Sequence, residues 1–186
     1  DMQADIDDKF PTPLHFATYV LESRNGDVIT ADVLREFAGN RDRVINLDEK
    51  GDLAAGTLPS QQYLFTYFDN DYGLNITGIR SILEPIEASL AMAGINLNDA
   101  TDHDVKMAVG RIVTNPDTRS FIDMLSTQAT FENRKVDGVD VEWWSSPATI
   151  FNLMADNEKL GGAGLEIGLG GGPDVVNKEH LNRRVA

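Results

Sequence analysis

The chain has 186 residues, no cysteine and a formal charge of −14, with 41% apolar and 25% charged residues. A length of this order makes one domain, or one domain with a sizeable insertion, and lets a core form without covalent staples. The composition excludes a disulfide framework, thiol catalysis and a Cys-based zinc site. The acid excess argues against nucleic acid, whose phosphates need a basic face, and equally against a polybasic patch for anionic lipid.

Six lysines and ten arginines face thirty acids, a balance suited to a salt-rich or exposed aqueous setting. No apolar run reaches the ~18 residues that span a bilayer. The chain opens on Asp1 with no signal peptide in view, so it reads as a piece of something longer.

In chain order, residues 1–13 are acidic, end in two prolines and read as an irregular lead-in. Residues 14–23 (LHFATYVLES) are apolar on both faces, the pattern of a buried strand. Asn25-Gly26 marks a turn. Thr30 reads as an N-cap with Asp32 in the first turn, and Val33, Leu34, Phe37 and Ala38 predict a helix over about 31–45. Residues 61–73 (QQYLFTYFDNDYG) fit both periods: Leu64, Phe65 and Phe68 favour a helix, Tyr63, Phe65 and Tyr67 a strand. The helix is the expectation.

Ile79, Ile82, Leu83, Ile86 and Leu90 recur at helical spacing, with Pro85 set to kink or split the pattern and Gly94 to close it. Thr101 and Asp104 form a capping-box pattern ahead of Val105, Ala108, Val109 and Ile112. Asn115-Pro116 ends that helix, and Pro116 is expected at the first position of the next. A helical run over 76–126 follows. Val136-Asp-Gly-Val139 is a turn between extended pieces, and ATIFNLMA reads as a buried strand. The closing segment holds a glycine-rich connector, a short strand at Leu165–Leu169 and a polar tail. The pattern as a whole is α+β.

Few groups of residues carry chemistry. The glycines from Lys159 to Val176 tempt a phosphate-cradle reading. A G-x-G-x-x-G fingerprint fails in all three frames, because Ile167, Pro173 and Val175 stand where its last glycine would. DNDYG at 69–73 starts like a calcium loop, but Gly73, Leu74 and Arg80 occupy positions that need an acid or amide, a glycine and a glutamate. Asp102, His103 and Asp104 are consecutive, point to different sides of a helix and suit capping better than a metal. No nucleophile motif appears. No cofactor, metal or catalytic residue is therefore assigned. Asn75-Ile-Thr77 is an N-glycosylation sequon.

The stretch FPTP…FATYVLESRNGDVITADVLREF resembles the first large extracytoplasmic loop of exporters in the resistance–nodulation–cell division superfamily, MMPL-type branch. The matching residues are Phe10-Pro11, Tyr19 to Glu22, Gly26-Asp27-Val28-Ile29-Thr30 and Val33 to Phe37, with Leu97 to Ser126 similar to the helical inserts of such loops. The resemblance spans about residues 10–155. It implies a ferredoxin-like, porter-type core over 14–158 with the helical insertion at 76–126. Residues 159–186 would then lead toward the membrane. It also implies an extracytoplasmic, non-enzymatic domain that helps form the exit path of a proton-driven exporter for hydrophobic or lipid-like substrates. Its partners would be the rest of the transporter chain, including a second extracytoplasmic domain, with oligomers formed through the parent protein. Phe68, Trp143, Trp144 and Phe151 are the aromatic candidates for a substrate path. The alternative is a free-standing extracellular or periplasmic domain that binds a small apolar ligand or a protein.

Overall fold

The computed structural model describes residues 14–53, 60–69, 74–160 and 173–186. In order these form β1 (Leu14–Glu22), α1 (Ala31–Glu49), β2 (Tyr67–Asp69), β3 (Leu74–Ile76), β4 (Ile79–Arg80), α2 (Leu83–Met92), α3 (Asp102–Thr114), a 3-10 turn (Arg119–Met124), β5 (Thr130–Val136), β6 (Val139–Ser145), β7 (Ala148–Asp156) and α4 (Pro173–Val185). The class is α+β. The strands form a three-stranded sheet in the order β1-β7-β4 and two antiparallel hairpins, β2-β3 and β5-β6. The lead-in at 1–13, most of the DNDYG loop and the expected strand at Leu165–Leu169 lie outside the described residues. The chain divides into two compact units and passes between them within β1, α1, β4 and β7.

The first unit comprises residues 18–40 and 80–151. Its core gathers Leu34 and Phe37 from α1, Leu83, Ile86 and Leu90 from α2, and Val105, Ala108, Val109, Ile112 and Val113 from α3. Full burial of each large aliphatic chain contributes about 1.5–3 kcal/mol. α2 begins at Leu83, so Ile79 belongs to β4 and Pro85 falls in the first turn, where a missing N–H leaves no helical bond unmade. The expected apolar pattern is split, between β4 and α2 rather than at Pro85. α2 closes in a Schellman motif: Gly94 N–H donates to Ala91 O (2.9 Å) and Ile95 N–H to Leu90 O (3.0 Å), with Gly94 at φ +74°.

α3 opens on the predicted capping box, with Thr101 and Asp104 exchanging both bonds. It stops at Thr114. Pro116 does not start the next helix: Asn115 Oδ1 accepts from Asp117 N–H (3.0 Å) and the 3-10 turn begins only at Arg119. The side-chain turn of Asn115 competes successfully with a helical start. β5 and β6 are joined by Asp137-Gly138, both at positive φ (52° and 85°), the mirror-image turn that matches strand twist.

The second unit comprises residues 1–17, 41–79 and 152–186. Leu53, Tyr63, Leu153, Leu160 and Leu181 are fully buried there. The helix expected over 61–73 is not formed among the described residues of that stretch, 61–69. Leu64 bridges Ala155 in antiparallel fashion, Phe65 N–H donates to Met154 O (3.0 Å), and Asp156 N–H donates to Tyr63 O (2.8 Å). The period-2 reading wins because β7 supplies backbone partners and the Asp48 carboxylate accepts Tyr63 N–H (2.6 Å) and Leu64 N–H (3.1 Å). The tail read as a polar connector is helix α4 from Pro173, whose fixed φ suits a first helical position. Leu181 buries one side of α4, and Arg183 and Arg184 lie at its carbonyl end, where cations are favoured.

β1 is not buried on both faces as expected. Its side chains alternate, leaving Phe16 (58% exposed) and Val20 (63% exposed) on the outer side. α1 runs four residues past its expected end, to Glu49.

Candidate functional site

The backbone turn at Gly26-Asp27 positions a side chain with three hydrogen-bond partners in the first unit. Asp27 Oδ1 accepts Ile29 N–H (2.9 Å) and Ser146 N–H (3.2 Å), while Oδ2 accepts from the Lys106 ammonium. Lys106 also donates to the Trp144 carbonyl and to Ser145 Oγ (3.1 Å). It lies on a second buried stripe of α3, Lys106-Gly110-Val113, beside the apolar stripe read from the sequence. Gly110 on that stripe packs against Val141 of β6. The ion pair is buried on the lysine side and fully hydrogen-bonded, the condition under which a buried charge is tolerated. This hub binds the 26–30 turn, α3 and the end of β6 together. Sequence reasoning missed it. Its one signal is a lysine between Val105 and Ala108 on a helix face that is otherwise apolar.

The other acids near α3 have similar duties. Asp102 Oδ1 accepts Ala31 N–H (2.7 Å), so it caps the first turn of α1 from another element. Asp104 accepts from both the hydroxyl (2.6 Å) and the amide (2.8 Å) of Thr101, and these bonds hold its carboxyl below the ordinary range. Arg35 donates to the carbonyls of Leu97 (3.2 Å) and Ala100 (3.0 Å).

Three of the four aromatic candidates, Trp143, Trp144 and Phe151, belong to the first unit and have different ring partners. Trp144 is buried in the core cluster, stacks on Phe131 (4.8 Å) and donates from Nε1 to Glu142 (2.9 Å). Trp143, its neighbour on β6, is half-buried. The His103 ring lies at 5.4 Å and the Arg134 guanidinium 4.7 Å over its face. Phe151 packs at the core edge between Tyr19 (4.9 Å, stacked) and Phe37 (5.3 Å, tilted), and burial raises the Tyr19 phenol pKa. Within the second unit, Phe68 of β2 is 57% exposed and stands opposite Asn75 of β3 in the hairpin register. An open depression of ≈ 360 Å³ lies in the first unit among Glu22, Ser23, Ser126, Gln128, Pro147 and Ala148, and none of the four aromatics lines it.

In the second unit, burial raises the Asp48 pKa against the opposing pull of the Tyr63 and Leu64 amides. His15 of β1 lies near Asn182 of α4 (Nε2 to Oδ1 3.3 Å), and its pKa is lowered chiefly by burial. Among the described residues no three His, Cys, Asp or Glu side chains gather as a metal site, and no helix is long and apolar enough to cross a membrane. No protein family, curated protein or solved structure matches this chain.

Proposed function

We propose that the chain is an extracytoplasmic, porter-type domain of a proton-driven exporter of the resistance–nodulation–cell division superfamily. Its task in that reading is to help form the exit path for hydrophobic or lipid-like substrates. One observation carries the proposal. Gly26-Asp27-Val28-Ile29-Thr30, one of the segments on which the resemblance rests, also ties elements of the first unit together. Asp27 gathers three donors, while Val28 and Ile29 are fully buried. A motif with so many fold-determining bonds has a physical reason to recur in a family.

The chemistry of the polar groups supports a non-enzymatic role. Asp27, Lys106, Asp102, Asp104 and Asp48 are each engaged in holding backbone or an ion pair. In this reading the energy comes from acids in membrane helices elsewhere in the transporter, and the partners are the rest of that chain and its second extracytoplasmic domain. The core would be ferredoxin-like. That fold uses a β-α-β-β-α-β order, here with the helical insertion at about 76–126.

Trp143 is the candidate path residue best placed to report a ligand, because it is half-buried while Trp144 is not accessible. Titration with a medium-chain fatty acid, followed by tryptophan emission in wild type and in Trp143→Phe, tests the substrate class. A saturable change in wild type that disappears in the variant supports the path at β6. Unchanged emission up to the solubility limit counts against it.

A further inference from the structure

The β5-β6 hairpin leaves β5 as an edge. Every residue from Thr130 to Lys135 is exposed, and among the described residues no other strand pairs with it. The register pairs Val136 with Val139 across the two-residue turn. Antiparallel ladders alternate bonded and non-bonded pairs. The backbone groups of Val136, Arg134, Glu132 and Thr130 are therefore spent on β6, and those of Lys135, Asn133 and Phe131 point away from it.

Exposed edges are normally blunted by charge. On β5 the charges have a symmetry that blocks most partners and admits one. About Asn133 the strand reads Phe131-Glu132-Asn133-Arg134-Lys135. A second β5 laid antiparallel on a two-fold axis through Asn133 would pair Asn133 with Asn133, using the outward N–H and C=O of both. Phe131 would pair with Lys135 through the remaining outward groups. Glu132 would face Arg134 twice, at the non-bonded positions where side chains approach most closely. Glu132 and Arg134 already meet within one chain at 3.0 Å, so both are oriented on the same face. A two-fold contact of this kind is self-complementary by construction.

We infer that β5 is a homotypic docking edge, whose occupant is the β5 of a second copy of this chain. The inference does not depend on the transport reading. A strand pair of this length, formed between chains of charge −14, gives a weak dimer, with a dissociation constant on the order of 100 μM at moderate salt.

Sedimentation velocity over a concentration series tests it, with circular dichroism confirming that each variant is folded. Asn133→Pro removes one outward donor and no bond to β6, a place where an edge strand tolerates proline. It should be monomeric. Glu132→Arg alone and Arg134→Glu alone set like charges opposite one another and should each weaken the dimer about tenfold or more. Mixed one to one, the two variants should form a heterodimer with an affinity near that of wild type, although both remain strongly acidic. A wild-type chain that stays monomeric to about 1 mM overturns the proposal. So does an Asn133→Pro variant that still dimerises, or a mixture no more associated than its components.

Discussion

The Lys106 ammonium meets the Asp27 carboxylate across 79 positions of sequence, and each partner also holds backbone groups of the 26–30 turn or the β6 terminus. The pair is therefore a tie between elements more than a source of charge attraction. Its two halves are unequal. Asp27 keeps two amide donors if Lys106 is lost, while Lys106, the more buried partner, would be left charged beside a carbonyl and a hydroxyl if Asp27 is lost.

Asp27→Ala is accordingly expected to destabilise the chain by about 3–5 kcal/mol, the penalty for an uncompensated buried charge. Lys106→Met should cost less, because its chain fills the same space and leaves no ammonium behind. Urea unfolding of both variants and of the double variant checks the order and the coupling between the two sites.

Thr101→Ala should cost about 1 kcal/mol through loss of the α3 cap. The Asp104 carboxyl is held low by Thr101, so its contribution is present above the ordinary carboxylate range. It is lost as pH falls through the depressed value. Because Asp104 is exposed, the effect is small and weakens with salt. In Thr101→Ala the titration midpoint of the Asp104 carboxyl, followed by NMR, should move up toward the usual range.

Asp48 has the opposite sign. Burial raises its folded pKa above the unfolded one, so the native state takes up a proton more readily. Its contribution to stability therefore grows as pH falls from above the folded pKa toward the ordinary value of 3.8 and diminishes as pH rises. Across that window wild type should gain stability relative to Asp48→Asn as pH falls. Asp48→Ala, which abandons two backbone donors, should lose about 1–3 kcal/mol per unsatisfied group. Denaturation curves at several pH values, compared pairwise, read both effects.

A β-carbon on Gly110 would overlap Cγ1 of Val141. Alanine is the better helix former by about 1 kcal/mol, but overpacking against a stiff branched chain costs about 1–3 kcal/mol. Gly110→Ala should therefore destabilise, and the same change made in a Val141→Ala background should cost less, with the close approach to the Glu142 carbonyl (3.2 Å) remaining. Thermal unfolding of the four-member cycle gives the sign directly.

The parts of this fold that were legible in the sequence are those set by neighbours in the chain. Thr101 and Asp104 announce the start of α3, Gly94 the end of α2, and Asp137-Gly138 the hairpin, because each is a local backbone requirement. The illegible parts depend on distant partners. Tyr63-Leu64-Phe65 is extended because Asp48 and β7 satisfy its backbone, and nothing in residues 61–73 encodes either. Pro116 yielded to the side chain of Asn115. The aromatic candidates were chosen by size, which cannot separate buried Trp144 from half-buried Trp143 and Phe151 and exposed Phe68.

The transport reading is tested most directly by the parent reading frame, sequenced outward from Asp1 and Ala186 and read for hydropathy. The account predicts a membrane span on each side of the segment and further spans arranged in two halves. A frame that closes with no apolar span on either side would contradict it.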